Sequence, residues 1–215
     1  MENAMKVIAL ITQKGGCGKT ALATSLAVTA LDGGHKVLIV DTDSQRTAGA
    51  WWESRDADVP HLVEVTGDQI APAVETARDK GFDFVFIDTP ARADPVNAAA
   101  AQAAHFCILP CRPSMADMRA QAPTVATARR LAKPAAFVLN CCPPRGSRVR
   151  EAEQGLAIYG LPVAPQRVVE RVAFSDAYGL GLGVTEFDPN GLAASEIREL
   201  WEWMNKKMEK LSHAA

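Results

Sequence analysis

The chain has 215 residues, with 23 Lys plus Arg against 25 Asp plus Glu and a net charge of −2. That balance excludes a global electrostatic pull toward nucleic acid or anionic lipid, so either partner would need a local basic patch. No apolar run reaches the ~18 residues that suggest a membrane span, and a domain of this length buries roughly 70% of the surface its unfolded chain exposes.

The start, "MENAMKVIAL", lacks the regions of a signal peptide, and the five cysteines (Cys17, Cys107, Cys111, Cys141, Cys142) show no paired metal-ligand spacing. The expectation is a reduced, cytoplasmic protein. His35, His61, His105 and His213 lie far apart without framing carboxylates, which points to structural or surface roles.

Strands are expected at 6–12, 36–41, 61–65, 82–88, 105–110 and 135–140, each a short, nearly continuous apolar run of the kind buried on both faces of a parallel sheet. Between them the pattern predicts helices at 19–32, 46–55, 68–79, 93–104, 115–131 and 147–159, with Gly33 and Gly34 ending the first. A last helix is expected over 192–211, where Ile197, Leu200, Trp201, Met204, Met208 and Leu211 recur at three- and four-residue steps. Trp51-Trp52 and Trp201/Trp203 read as packing residues. The alternation specifies an α/β fold, a doubly wound, mainly parallel sheet flanked by helices, in one domain spanning 1–215.

"GGCGKT" stands between the first strand and the first helix, the context that makes a glycine-rich pattern a phosphate cradle. Backbone N–H groups at Gly15, Gly16 and Gly18 would converge on phosphate oxygens at a helix N-terminus. Lys19 would reach the β- and γ-phosphates and the Thr20 hydroxyl would bind Mg²⁺. The expected nucleotide contacts are Gly15, Gly16, Cys17, Gly18, Lys19, Thr20 and Ala21. Lys14 occupies the first glycine position of the usual loop, so the motif is a deviant Walker A loop.

"VLIVDTDSQ" and "DFVFIDTPA" end strands on Asp41, Asp43 and Asp88, at the carboxyl edge where open α/β sheets bind ligands. Asp88 occupies the Walker B position. Hydrolysis of a γ-phosphate needs charge neutralisation and a group that orients the attacking water, the role given to Asp43. The residues themselves give Lys19 and Asp43 as catalytic candidates and Thr20, Asp43 and Asp88 as the Mg²⁺ set.

These residues resemble the ParA/MinD group of deviant Walker ATPases, most closely the short ParA partition ATPases of plasmids. "KGGCGKT", "VDTDSQ", "FVFIDTP", "ILPCRPSMADM", "FVLN" and "ERVAFSDAYGLGLGVTEFD" stand in the family's order along nearly the whole chain. The resemblance implies an ATPase that ATP brings face to face as a homodimer. In that sandwich Lys14 crosses to the phosphates of the partner's nucleotide, Asn140 reads the adenine edge, and Asp117 lies where relatives make dimer contacts. It further implies non-specific DNA binding, a small DNA-binding or cargo adaptor protein that stimulates hydrolysis, and a nucleoid-associated location.

Two departures stand out. The family usually has proline where this chain has Ser44, which leaves the turn carrying Asp43 less restrained. Asn190 and Gly191 occupy positions where several relatives carry arginine, so the DNA-contact candidates become Arg167 and Arg171, the group Arg145, Arg148 and Arg150, and Lys206, Lys207 and Lys210. The short form also lacks an N-terminal helix-turn-helix extension, which argues against operator-specific recognition. The competing reading is a MinD-like membrane-associated ATPase, requiring an amphipathic basic C-terminal helix; "SEIRELWEW" is acidic on its polar side. A metal-cluster electron donor would need bridging cysteines, and the cysteines here lack that context.

Overall fold

The computed structural model describes residues 5–91 and 94–212. Six strands, β1 (Lys6–Leu10), β2 (Val37–Asp41), β3 (His61–Glu64), β4 (Phe84–Asp88), β5 (Phe106–Cys111) and β6 (Ala135–Leu139), form one sheet in the order β3-β2-β4-β1-β5-β6. Every neighbouring pair is parallel.

All residues of β1, β2, β4, β5 and β6 are buried, as continuous apolar runs require. β3 is the correction: His61, Val63 and Glu64 are exposed, because β3 is an edge strand and the helix over it leaves an apolar cleft of about 560 Å³ open.

Parallel strands need crossovers, and these divide the helices between the two faces. On one face lie α1 (Lys19–Asp32), α2 (Thr47–Glu53) and, from the C-terminal third, α8 (Val172–Gly179), α9 (Val184–Phe187) and α10 (Leu192–Ser212). On the other lie α3 (Ile70–Asp79), α4 (Asp94–Ala103), α5 (Met115–Arg119), α6 (Ala122–Arg130) and α7 (Arg148–Leu156). β1 and β4 are neighbours whose crossovers leave toward opposite faces, so the sheet's crevice opens at their carboxyl ends.

The helix expected over 115–131 is two helices. Pro123 stands in the first turn of α6, where its missing N–H costs nothing, but it could not continue α5. The segments 68–79 and 147–159 each combine an α-helix with a short 3-10 turn, at Gly67–Gln69 and Ala157–Tyr159. α8 and α9 were not expected: Phe174, Ala177 and Tyr178 turn inward while Val172 is exposed, and glycines 179, 181 and 183 interrupt any stripe.

Trp51 and Trp201 are buried, and Trp201 packs edge-on against Phe84 at 4.8 Å. Trp52 donates its indole N–H to the Pro60 carbonyl. His105 accepts a hydrogen bond at Nδ1 from the Val7 amide, His35 packs on Phe84 and His61 on Phe82; His213 lies outside the described residues.

Candidate nucleotide-binding site

Beyond β1 the chain turns through residues 11–18 into α1. Gly18 is the residue before the helix, in left-handed backbone (φ 82°), and a Cβ there would lie 2.3 Å from Asn140 Nδ2. Only glycine satisfies both demands. The close neighbour has a purpose: Asn140 Nδ2 donates to the Cys17 carbonyl at 2.7 Å, so the end of β6 braces the loop.

Gly15, Gly16, Cys17, Gly18, Lys19, Thr20, Ala21 and Asp43 all line one cleft of about 340 Å³, with Thr47, Thr89, Ala91 and Tyr178. Three expected site residues lie outside this lining: Lys14, Asn140 and, beneath Thr20, Asp88. Lys14 is exposed and outside this lining; its amide donates to Thr12 Oγ1 at 3.2 Å. Asn140 borders a smaller adjoining cleft with Gly18, Ala21, Leu22, Glu170, Arg171 and Phe174.

Lys19 is buried in the cleft lining. Cys17 is buried against the Lys14 carbonyl, and burial pushes its thiol up despite the nearby Lys19 cation, so it is a packing residue more than a nucleophile.

Beneath Thr20 lies Asp88, fully buried at the end of β4. Thr20 Oγ1 donates to Asp88 Oδ2 at 2.6 Å, and Asp88 Oδ1 has no hydrogen-bond partner among the described residues. Burial pushes this carboxyl up to about 7, the Thr20 hydrogen bond opposes that, and Asp41 adds repulsion. A buried carboxylate oxygen without a partner, beside a hydroxyl, suits a hard cation and its water shell. The donor set Thr20 and Asp88 therefore fits Mg²⁺.

Asp41 pairs in register with Asp88 across β2 and β4. It does not line the cleft; Oδ1 accepts from the Asp43 amide at 2.9 Å and Oδ2 from the Gly49 amide at 3.1 Å. Asp43 is half-buried at the cleft wall, and its Oδ1 accepts from the Gln45 amide at 2.9 Å.

The wall formed by α2 is fastened to the C-terminal segment. Tyr178 Oη donates to the Thr47 carbonyl at 2.8 Å, and Trp51 Nε1 donates to the Leu182 carbonyl at 3.0 Å. Arg55, only 4% exposed, pairs with Glu186 at 2.5 Å and donates to the Gly181 carbonyl at 2.8 Å. Burial raises the Glu186 carboxyl, but Arg55 outweighs it and the net shift is downward. Thr47, Phe174 and Tyr178 border the two clefts and are candidate site residues that sequence reading missed; the last two lie in the run "ERVAFSDAYGLGLGVTEFD", where no local pattern signals a nucleotide contact.

Asp117 is largely buried: its amide donates to Ser114 Oγ at 3.1 Å, capping α5, and its Oδ1 has no hydrogen-bond partner among the described residues. Arg145, Arg148, Arg150 and Arg167 are exposed. Arg171 is half-buried and paired with Glu196 at 2.7 Å beside the smaller cleft. Lys206 pairs with Glu202 at 3.6 Å, and Lys207 lies over the Trp203 ring.

Comparison with known proteins identifies the family and the fold. The model of the CobQ/CobB/MinD/ParA nucleotide binding domain matches residues 8–184. "Maintenance of carboxysome distribution protein A" of Halothiobacillus neapolitanus is 29% identical over 209 residues, covering 92% of this chain and 95% of that protein. "Chromosome-partitioning ATPase Soj" of Thermus thermophilus is 32% identical over 132 residues, 48% of this chain and 53% of Soj. Among solved structures, the septum site-determining protein MinD of Pyrococcus horikoshii, complexed with Mg-ADP, superposes with a TM-score of 0.78 at 17% identity, over 94% of this chain and 96% of that one. A six-stranded parallel sheet with a lysine-flanked P-loop at its crevice and a family match across most of the chain lead to one conclusion: the protein belongs to the CobQ/CobB/MinD/ParA nucleotide-binding family, as a ParA/MinD-type ATPase domain.

Proposed function

We propose that the protein is a positioning or partition ATPase in which ATP closes two copies face to face, the dimer holds DNA non-specifically, and a small adaptor protein stimulates hydrolysis and release. The observation that carries this reading is the division of labour between two lysines. Lys19 lines its own cleft, whereas Lys14 is exposed outside that lining, available to a second copy.

Within one chain the loop amides and Lys19 bind and orient the phosphates, and Asn140 faces the adjoining cleft, where its carbonyl can accept from an adenine amino group. Mg²⁺, when bound by Thr20 and Asp88 with Asp43 nearby, supplies charge neutralisation at the β- and γ-phosphates. Asp43 orients the attacking water at the cleft wall. Lys14 of the second copy stabilises charge on the transferring phosphoryl group, which couples hydrolysis to dimerisation.

The relatives support a positioning role: one is described by carboxysome distribution and another by chromosome partitioning. DNA contacts are assigned to the exposed arginines 145, 148, 150 and 167, with Lys207 and Lys210 on α10. For the membrane reading, α10 offers little: Ile197, Leu200, Trp201, Met204 and Met208 are all buried in the core. No helix among the described residues is long and apolar enough to cross a membrane.

The test is retention on random-sequence DNA and on anionic liposomes, each with Mg·ATP and with Mg·ADP. ATP-dependent, salt-sensitive retention on DNA alone is expected, because only phosphate contacts are assigned. Retention on liposomes alone would replace this reading with the membrane one.

A further inference from the structure

Between Thr42 and Thr47 the chain has no glycine or proline, yet it makes a tight turn that presents Asp43 to the cleft. The Arg46 amide donates to the Asp43 carbonyl at 2.8 Å, closing a four-residue turn. Since the Asp43 amide is held by Asp41, the backbone of Asp43 is gripped from both sides, by Asp41 before it and Arg46 after it.

Arg46 makes this grip in left-handed backbone (φ 52°, ψ 38°), an unfavourable conformation for a residue with a Cβ. Its guanidinium is what fixes it there. Nε donates to Glu64 on β3 and a terminal nitrogen donates to Glu53 on α2, both at 2.7 Å. Room for Glu64 depends on Gly49, where a Cβ would lie 2.4 Å from Glu64 Oε1; the Gly49 amide is itself bonded to Asp41. The three carboxylates, the arginine and the glycine thus close a ring of contacts around the turn.

The Arg46, Glu53 and Glu64 side chains are 54%, 60% and 38% exposed. Ion pairs that open to water add little to folding stability. They can still select one geometry for a short turn that has no rigid residue of its own. We propose that Arg46 is a positioning residue: forked between Glu53 and Glu64, it holds the 43–46 turn so that the Asp43 carboxylate faces the cleft. The inference rests on the reading that this cleft hydrolyses ATP, and Arg46 acts on the reaction only through Asp43.

A proline at the second position of such a turn fixes the same backbone by a different means. Ser44 holds that position, and its amide makes no hydrogen bond among the described residues, so Ser44→Pro removes none. The experiment measures saturating ATP turnover, affinity for a fluorescent ATP analogue and thermal unfolding in wild type, Arg46→Ala, Glu64→Gln and the double variant Ser44→Pro/Arg46→Ala.

Arg46→Ala should lower kcat about tenfold while nucleotide affinity stays within about twofold, since displacing a reacting group is costly to rate and not to binding. Glu64→Gln, the milder change, should show the same split at smaller size. Ser44→Pro should restore most of the kcat lost in Arg46→Ala, which a merely stabilising arginine would not predict. Unchanged kcat in Arg46→Ala overturns the proposal, as does a loss that proline leaves in place or that tracks lost affinity. A wild type that turns over no ATP fells the ATPase reading and this inference with it; an active wild type matched by Arg46→Ala fells this inference alone.

Discussion

The cradle, residues 15–20, and Asp43, carried by the turn 43–46, line one cleft, and cradle and turn are held in place by different physics. The cradle is locked from beneath by buried groups: Asn140 on the Cys17 carbonyl, Asp88 under Thr20, and a glycine no other residue can replace. The turn is held from outside by exposed carboxylates on Arg46 and by one strand-end aspartate. Buried, geometrically over-determined groups suit binding, which needs the same shape at every encounter. A turn restrained mainly by water-accessible ion pairs can rearrange at little cost.

Substitutions can break that contrast. Lys19→Ala, at the cradle, should reduce Mg·ATP affinity by at least about a hundredfold, or ~3 kcal/mol, in calorimetry, while the circular dichroism spectrum stays that of the wild type. Behind the turn, Arg55→Ala leaves Glu186 without its buried partner and should cost about 2–4 kcal/mol of stability in denaturant unfolding. That cost would set the buried fastening of α2 apart from the exposed fork at its N-terminal end.

Asp43→Ala should keep Mg·ATP binding and slow turnover by about tenfold to a hundredfold, with a longer-lived dimer in light scattering. The smallest effect sharpens the comparison most: Arg46→Ala should leave the Tm within about 2 °C of wild type. A large drop there would make the fork a structural clamp, and the two walls of the cleft would no longer differ.

Much of this was legible in the sequence, for definite reasons. All six strands follow from short apolar runs, and the P-loop from glycines and a Lys-Thr pair between a strand and a helix. Helix α1 was placed at its observed bounds because Gly18 and Gly33 flank it. The exposure of β3 had a signal in its polar ends, His61 and Glu64, which the apolar Leu62 and Val63 between them obscured. The split at Pro123 was available and overridden by the longer periodic pattern. Contacts that fasten α2 and the residues after it to α8 and α9 were hidden because they join residues about 130 apart in sequence, as Tyr178 meets Thr47 and Arg55 meets Glu186. The Arg46 fork was equally out of reach, because nothing local announces a left-handed arginine.

The central claim is that Lys14 serves the second copy's nucleotide and not its own. Light scattering of wild type and Lys14→Ala, each with Mg·ATP at a concentration shown by calorimetry to saturate both, tests it directly. Wild type should shift to the dimer mass, and Lys14→Ala should remain a monomer that binds nucleotide normally and hydrolyses little of it. A Lys14→Ala protein that dimerises and turns over ATP as wild type does would contradict the account.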